Sequence, residues 1–248
     1  VGTTATTWIV STLGVKINIA AFSLPMIIFG VIFRFYKQKN LQGIGNILLG
    51  LGFVFLGIGY MKDGFEDLKS GIDLAQFSVD GYLGIILYAF IGAIATVIIQ
   101  SSSATLALTI TALATGQIIY LNAMAIAVGA NIGTATTAAM GAMVSNANSK
   151  RVDVGLFIFK GVTAVITLSF LYFIVDFVDY LSDAFGIAPD DWAMKLAVFH
   201  TFFNLAGLII FSLVIPRLVI FLKKLFVVDV ESYIQKPKYL DLAVAAVP

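Results

Sequence analysis

The chain has 248 residues, 60% of them hydrophobic and 12% charged, with 15 Lys and Arg against 14 Asp and Glu, and a mean hydropathy of +1.00. This balance belongs to polytopic membrane proteins, and a formal charge of +1 gives no reason to expect a nucleic-acid partner. With no cysteine, disulfides and thiolate metal sites are excluded. No basic region precedes an apolar stretch at the start, and Val1 is not an initiator methionine, so residues 1–248 are expected to be a fragment or processed piece.

A helix needs about 20 mostly apolar residues to cross the hydrocarbon core. In chain order, 20–36 is a short candidate containing Pro25, and 43–61 carries Gly45, Gly50, Gly52, Gly57 and Gly59, small residues that let helices approach closely. An acidic connector follows, with Asp63, Glu66, Asp67, Asp73 and Asp80. Residues 82–99 and 104–114 flank a polar island, Gln100-Ser101-Ser102-Ser103, and 122–144 contains a second, Asn131-Ile132-Gly133-Thr134-Ala135-Thr136-Thr137. Both islands lie in residues 81–149, which hold no Asp, Glu, Lys, Arg or His. Segment 154–175 is the next span. A second acidic connector with Asp176, Asp179, Asp183, Asp190 and Asp191 separates it from a long final span at 193–222, and the tail from Lys223 is polar and basic.

Lys and Arg accumulate in cytoplasmic loops. Arg34, Lys37, Lys39, Lys150, Arg151, Lys223, Lys224, Lys236 and Lys238 are therefore expected inside, with the acidic connectors outside and the C-terminus cytoplasmic. Between Asp80 and Lys150 the chain must cross an odd number of times, either as one crossing plus a re-entrant hairpin or as three crossings. The second island also recurs in degraded form as Val1-Gly2-Thr3-Thr4-Ala5-Thr6-Thr7. By the same parity the two copies run in opposite directions, which is the inverted-repeat arrangement of secondary transporters, with a site at the repeat interface. Chance similarity between two Gly/Thr-rich pieces is the competing explanation.

Non-helical polar backbone at membrane depth persists only where protein buries it or a watery cavity meets it. A break near Gln100 would put the amides of Ser101–Ser103 at the start of a half-helix, where free N–H groups and a positive partial charge suit an anion. Gln, Ser and Thr oxygens suit Na⁺. Interhelical hydrogen bonding is the plainer role for such residues, but three consecutive serines point in different directions around a helix and cannot all serve one interface. For the second island, back-bonding threonines on a small-residue packing face are the alternative.

Gln100-Ser-Ser-Ser-Ala-Thr followed by Gly129-Ala-Asn-Ile-Gly-Thr resembles the type II sodium/phosphate cotransporter family, as do 49–67 and the His200-Thr-Phe-Phe-Asn204-Leu-Ala-Gly207 segment. The resemblance implies an all-α polytopic membrane protein, an inverted-repeat secondary transporter with a re-entrant hairpin and broken transmembrane helices. It assigns Ser101, Ser102, Ser103 and Asn131 to phosphate, and Gln100, Ser101, Thr134 and Thr137 to sodium as coupling ion, with Thr3, Thr4 and Thr6 as first-repeat counterparts. No second QSSS is present, so the matching half of the site is expected ahead of Val1, and Thr134-Ala135-Thr136-Thr137 interrupts the family's threonine run. Tyr239-Leu240-Asp241 resembles the start of a linker to a PhoU-like domain.

The organisation expected is 1–19 as the end of the first repeat, 20–41 as a linking helix and cytoplasmic loop, 42–149 as the second repeat, 150–222 as two peripheral helices and 223–248 as a cytoplasmic tail. The function expected is sodium-coupled import of inorganic phosphate through a bacterial inner membrane, without enzymatic activity; homo-oligomerisation stays open. Carriage of another anion, passive or sodium-coupled, is the alternative, and an intramembrane hydrolase using a tip serine with His200 is a remote one. Lys160 reads as a snorkelling side chain and His200 as a helix-packing residue near Asn204, against roles in the site.

Overall fold

The structure is a computed structural model that describes residues 2–14, 20–71, 79, 81–142 and 145–227. Residues 239–241, Lys236, Lys238, Asp73 and Asp80, whose placement the sequence suggests, lie outside the described residues. Among those described, the regular elements are all helical: α1 (Gly2–Ile9), a π-helical turn (Val10–Gly14), α2 (Ala20–Arg34), α3 (Lys39–Gly71), α4 (Gly81–Ile99), α5 (Ser102–Ala114), α6 (Tyr120–Ala142), α7 (Ala147–Ser169), α8 (Leu171–Ala184), α9 (Trp192–Ser212) and α10 (Ile215–Leu225). Five stretches are long and apolar enough to cross a membrane: Lys39–Asp67 within α3, and the whole of α4, α6, α7 and α9. At 1.5 Å per residue, the 13 residues of α5 reach only about 20 Å, short of the roughly 30 Å hydrocarbon core.

Helix α6 is the axis of the bundle. In its most apolar window 61% of residues are buried, against 17% for α7 and 28% for α4, and α4, α5, α7 and α9 pack around it. Its buried side chains are mostly small, with Ala123, Ala125, Ala127, Gly129, Ala130, Gly133 and Ala135 among them. With lipid as apolar as leucine, such helices are held by close backbone approach and dispersion instead of by expulsion of water. A Cβ added to Gly129 would overlap the Ala89 carbonyl, one on Gly92 would overlap the Ile126 backbone, and one on Gly133 would sit 2.6 Å from the Ala93 oxygen. Ala89 beside Gly129, and Ala93 and Thr96 beside Gly133, advance together, so α4 and α6 run parallel and α5 returns between them in sequence. Three passages of alternating direction result, the odd number that parity requires.

The same device joins α2 to α3. A Cβ on Gly45 would lie 2.8 Å from the Gly30 oxygen, and one on Gly52 would lie 2.7 Å from the Ile27 side chain. Pro25 sits inside α2 without ending it.

Four boundaries differ from those read in the sequence. Helix α3 continues through Asp63, Glu66 and Asp67, where exposed Lys62 and Glu66 pair one turn apart at 3.8 Å. The span expected at 154–175 begins earlier, as α7, and stops at Phe170. Much of the second acidic connector is helical: α8 buries Leu171, Val178 and Ser182 and leaves Asp176 and Asp183 exposed, an amphipathic pattern masked by counting only its charges. The long final span divides at Leu213–Val214 into α9 and a separate α10, whose first turn contains Pro216. Proline suits a helix start, where its missing N–H is not needed, and cannot continue the preceding helix.

The two ends of the bundle carry opposite charge. At one end, where α4, α6 and α9 begin and α7 finishes, the Tyr82 hydroxyl donates to the Ser169 carbonyl (3.1 Å) and Tyr120 and Trp192 pack with ring centroids 5.2 Å apart. Buried Lys195 pairs there with Asp179 at 2.9 Å and lies 4.8 Å over the Trp192 ring, tying α8 to α9. At the other end, Arg151 donates from Nε (2.9 Å) and Nη2 to the Phe226 carbonyl, folding α10 back on α7 near Lys150, Lys223 and Lys224. Overpacking a tight backbone contact costs about 1–3 kcal/mol, whereas an exposed helical Gly→Ala gains up to about 1 kcal/mol. Gly129→Ala is therefore expected to lower thermal stability in detergent, and Gly50→Ala, with nothing within 4 Å of its Cβ, to leave it unchanged or raise it.

Candidate functional site

Helix α4 stops at Ile99, and Gln100 takes a left-handed conformation, φ +57°. Its N–H bonds the Thr96 carbonyl at 2.7 Å, closing the last turn. Glycine is the usual residue at such a helix end, because a side chain in the left-handed region costs about 1–2 kcal/mol. Gln100 is also exposed, so burial of its side chain does not offset that cost. Ser101 is extended and caps α5: its Oγ accepts the Ala104 N–H at 3.2 Å. Since α5 begins at Ser102, one residue pair earlier than the sequence suggests, the first-turn amides left without an intrahelical partner are those of Ser102 and Ser103.

A short chain of hydroxyls pins this tip. Buried Thr96 on α4 donates to Thr105 Oγ1 on α5 at 3.0 Å, and Thr105 donates to the Ser101 carbonyl at 3.2 Å. Thr96 is also the α4 residue that meets Gly133 of α6, where a Cβ would lie 2.7 Å from Thr96 Cβ. The hairpin tip is thus held against α6 at the level of its second island, and Gln100–Ser103 and Gly133–Thr137 become neighbours although about 30 residues separate them in sequence.

Helix α6 itself does not break. It runs continuously through Asn131–Thr137, so the interruption expected there is absent. Thr134 donates to the Ala130 carbonyl (3.1 Å), Thr136 to Ile132 (3.0 Å) and Thr137 to Thr134 (2.9 Å). Back-bonding of this kind removes the need for freed carbonyls at this point. It also commits each hydroxyl hydrogen to the helix, leaving the oxygen lone pairs as acceptors. The tip of α5 offers N–H and O–H donors, and α6 offers acceptors and the carboxamide of Asn131, which is 7% exposed.

The first-repeat candidates are only partly gathered. Helix α1 packs on α5 and α9; Thr4 is buried, Thr6 half-buried and Thr3 exposed. The residue that makes the long-range bond is Thr7, whose Oγ1 shares a hydrogen bond with His200 Nδ1 at 3.1 Å in a buried contact, while Trp8 Nε1 donates to Thr201 Oγ1 at 2.9 Å. His200 is thereby a packing residue between α1 and α9, and Asn204 Nδ2 donates to its backbone carbonyl at 2.7 Å. No hydrogen bond joins His200 to a tip serine among the described residues, which removes the geometric basis for a hydrolase. Lys160 is half-buried, and its Nζ turns to α6, 3.4 Å from Asn131 Oδ1. The sequence signal for it was an isolated charge in the middle of an apolar span. For Thr7, Thr96 and Thr105 there was no signal beyond apolar helices containing threonine.

No group of three or more His, Asp or Glu able to hold a metal ion occurs among the described residues, and the neutral hydroxyl and amide oxygens of this site suit a weakly held hard cation such as Na⁺. A cavity of about 610 Å³ between α7, α9 and α10 is lined mainly by apolar side chains such as Leu156, Phe159, Phe211 and Leu218, together with Asn148, Arg151 and Lys223.

Helices of bilayer length, with a polar hairpin tip between two of them, define a polytopic membrane protein. The chain belongs to the Na⁺/Pi-cotransporter family, whose model matches residues 1–63 and 84–180. These blocks contain α1, α2, most of α3 and α4, all of α5 to α7 and most of α8, both polar islands included; α9, with its His200 segment, falls outside them. A protein of Escherichia coli (strain K12) named "Putative inorganic phosphate export protein YjbB" is 30% identical over 165 residues, 66% of this chain and 29% of that protein. Its namesake in Salmonella typhimurium is 30% identical over 169 residues, again 66% and 29%. "Uncharacterized protein YqeW" of Bacillus subtilis is 32% identical over 121 residues, 49% of this chain and 37% of that protein. The chain thus spans about a third of the length of these relatives, and no solved structure matches it.

Losing one buried hydrogen bond costs about 0.5–1.5 kcal/mol. Thr96→Val, which keeps shape and removes the donor to Thr105, is expected to loosen the tip, read as faster amide hydrogen exchange at Ser102 to Thr105 with exchange in α6 unchanged.

Proposed function

We propose that the chain forms part of a sodium-coupled carrier of inorganic phosphate that works by alternating access in a bacterial inner membrane. The observation that carries this reading is the tip at Gln100–Ser103, a polar helix start in an apolar stretch, tied through Thr96 to the level of Gly133 on α6. Phosphate would be bound by the Ser102 and Ser103 amides, the serine hydroxyls and Asn131, with the partial positive charge at the start of α5 favouring the anion. Sodium would be held by oxygens of Gln100, Ser101, Thr134 and Thr137. Thr4 and Thr6 would approach from α1.

Coupling follows if both ligands use one tip. Sodium between Gln100 and the α6 hydroxyls would order the hairpin against α6, and an ordered tip binds the anion more tightly; by linkage, phosphate then tightens sodium binding by the same factor. The gathering of Lys150, Arg151, Lys223 and Lys224 at one end of the bundle supports a cytoplasmic location for that end. An inward sodium gradient would then drive import. The E. coli relative's name points to export, which the same site would support if phosphate moved down its own gradient.

The test is uptake of ³²P-phosphate into proteoliposomes of the full-length protein. Flux that follows an imposed sodium gradient and disappears in potassium is expected; flux indifferent to sodium would overturn the coupling and leave a passive pathway. Gln100→Gly is the sharper variant. Relief of left-handed strain and the greater unfolded-state freedom of glycine offset one another. Its melting temperature should therefore stay near wild type, while sodium-driven flux falls at least tenfold. Ser102→Ala is expected to behave alike.

A further inference from the structure

The ammonium of Lys160 lies in the middle of α7, within the bundle, with no carboxylate partner among the described residues. The ion pairs found there, Lys62–Glu66 and Lys195–Asp179, do not involve it. Its polar neighbour is Asn131 Oδ1 at 3.4 Å, a neutral acceptor that cannot balance a charge. A cation at this depth is costly unless something compensates it, and such residues mark ion pathways and counter-charges.

The neighbour supplies the second observation. Asn131 is more than nine-tenths buried, and its Nδ2, with two N–H donors, has no hydrogen-bond partner. Nearly all buried donors are satisfied, so an orphaned one calls for an explanation. Lys160 explains the orientation: by donating to Oδ1 it fixes the carboxamide and leaves the donor end turned away from itself. An unpaired cation and an unpaired donor within one hydrogen bond of each other share one missing element, an acceptor carrying negative charge.

From this geometry we infer that Lys160 is the cationic member of the anion site: its charge attracts the phosphate directly, and its hold on Asn131 aims that amide at the phosphate oxygens. This rests on the phosphate reading above and corrects the snorkelling role read from the sequence. The site then is not wholly uncharged.

The experiment compares wild type, Lys160→Met and Lys160→Arg of the full-length protein. Each is measured for KM and kcat of ³²P-phosphate flux in proteoliposomes, for phosphate binding by calorimetry in detergent, and for melting temperature. A charge-assisted hydrogen bond is worth roughly tenfold or more in affinity. Lys160→Met should raise KM and the dissociation constant by about that factor with kcat within about twofold, and Lys160→Arg should recover most of the loss. An unchanged KM in Lys160→Met, while Ser102→Ala remains inactive, would overturn the role of Lys160 and leave the transport reading standing. A lowered melting temperature with KM and kcat both impaired and no recovery in Lys160→Arg would assign Lys160 to packing and overturn it too. Wild-type protein that neither binds nor moves phosphate would overturn both.

Discussion

The contact between the backbones of α4 and α6 is the constraint on which everything else depends. Gly92, Gly129 and Gly133 let the two helices meet with no side chain between them, and that proximity places Thr96 beside Gly133. Thr96 in turn carries the hydroxyl that reaches Thr105 across the hairpin. Move the helices apart by the width of a methyl group and the tip no longer has a fixed position relative to the threonines of α6. In a bilayer, where apolar side chains gain little by leaving lipid, such small-residue contacts are the main means of setting a separation this short.

Upon that frame the site divides its labour. At the tip, helix geometry leaves amide hydrogens exposed; on α6, helix geometry consumes hydroxyl hydrogens and leaves oxygens. The tip thus supplies donors and α6 supplies acceptors without any residue having to change its ionisation state. Gln100 stands where a glycine would satisfy the backbone at less cost, and strain of this kind persists where the surrounding structure imposes it, most often at working sites.

Much of this was legible because polar residues are conspicuous in an apolar chain. Gln100–Ser103 and Asn131–Thr137 stood out by composition, and an odd number of passages followed from parity between Asp80 and Lys150. Helix ends were less legible. Phe170 and Leu213–Val214 interrupt helices without glycine at the break, and Asp176, Asp179 and Asp183 looked like a loop because the intervening Val178 and Ser182 were not counted with Leu171 as one face. The expected break at Asn131 failed because threonines can satisfy themselves on their own helix, a local option that a motif does not exclude. Partners such as Thr7 with His200 and Lys160 with Asn131 depend on how α1, α6, α7 and α9 come together, and neither spacing nor periodicity encodes that.

Helix α5, too short to cross a bilayer and begun by a polar tip, also constrains the order in which the protein is made. A ribosome delivers α4, the tip and α5 before any of α6. Until α6 arrives, Gly92 and Thr96 of α4 lack the Ile126 and Gly133 backbone against which they pack. The hairpin can therefore take its final position only when α6 has been inserted to receive it. The tip is, on this reasoning, among the last parts of the fold to settle.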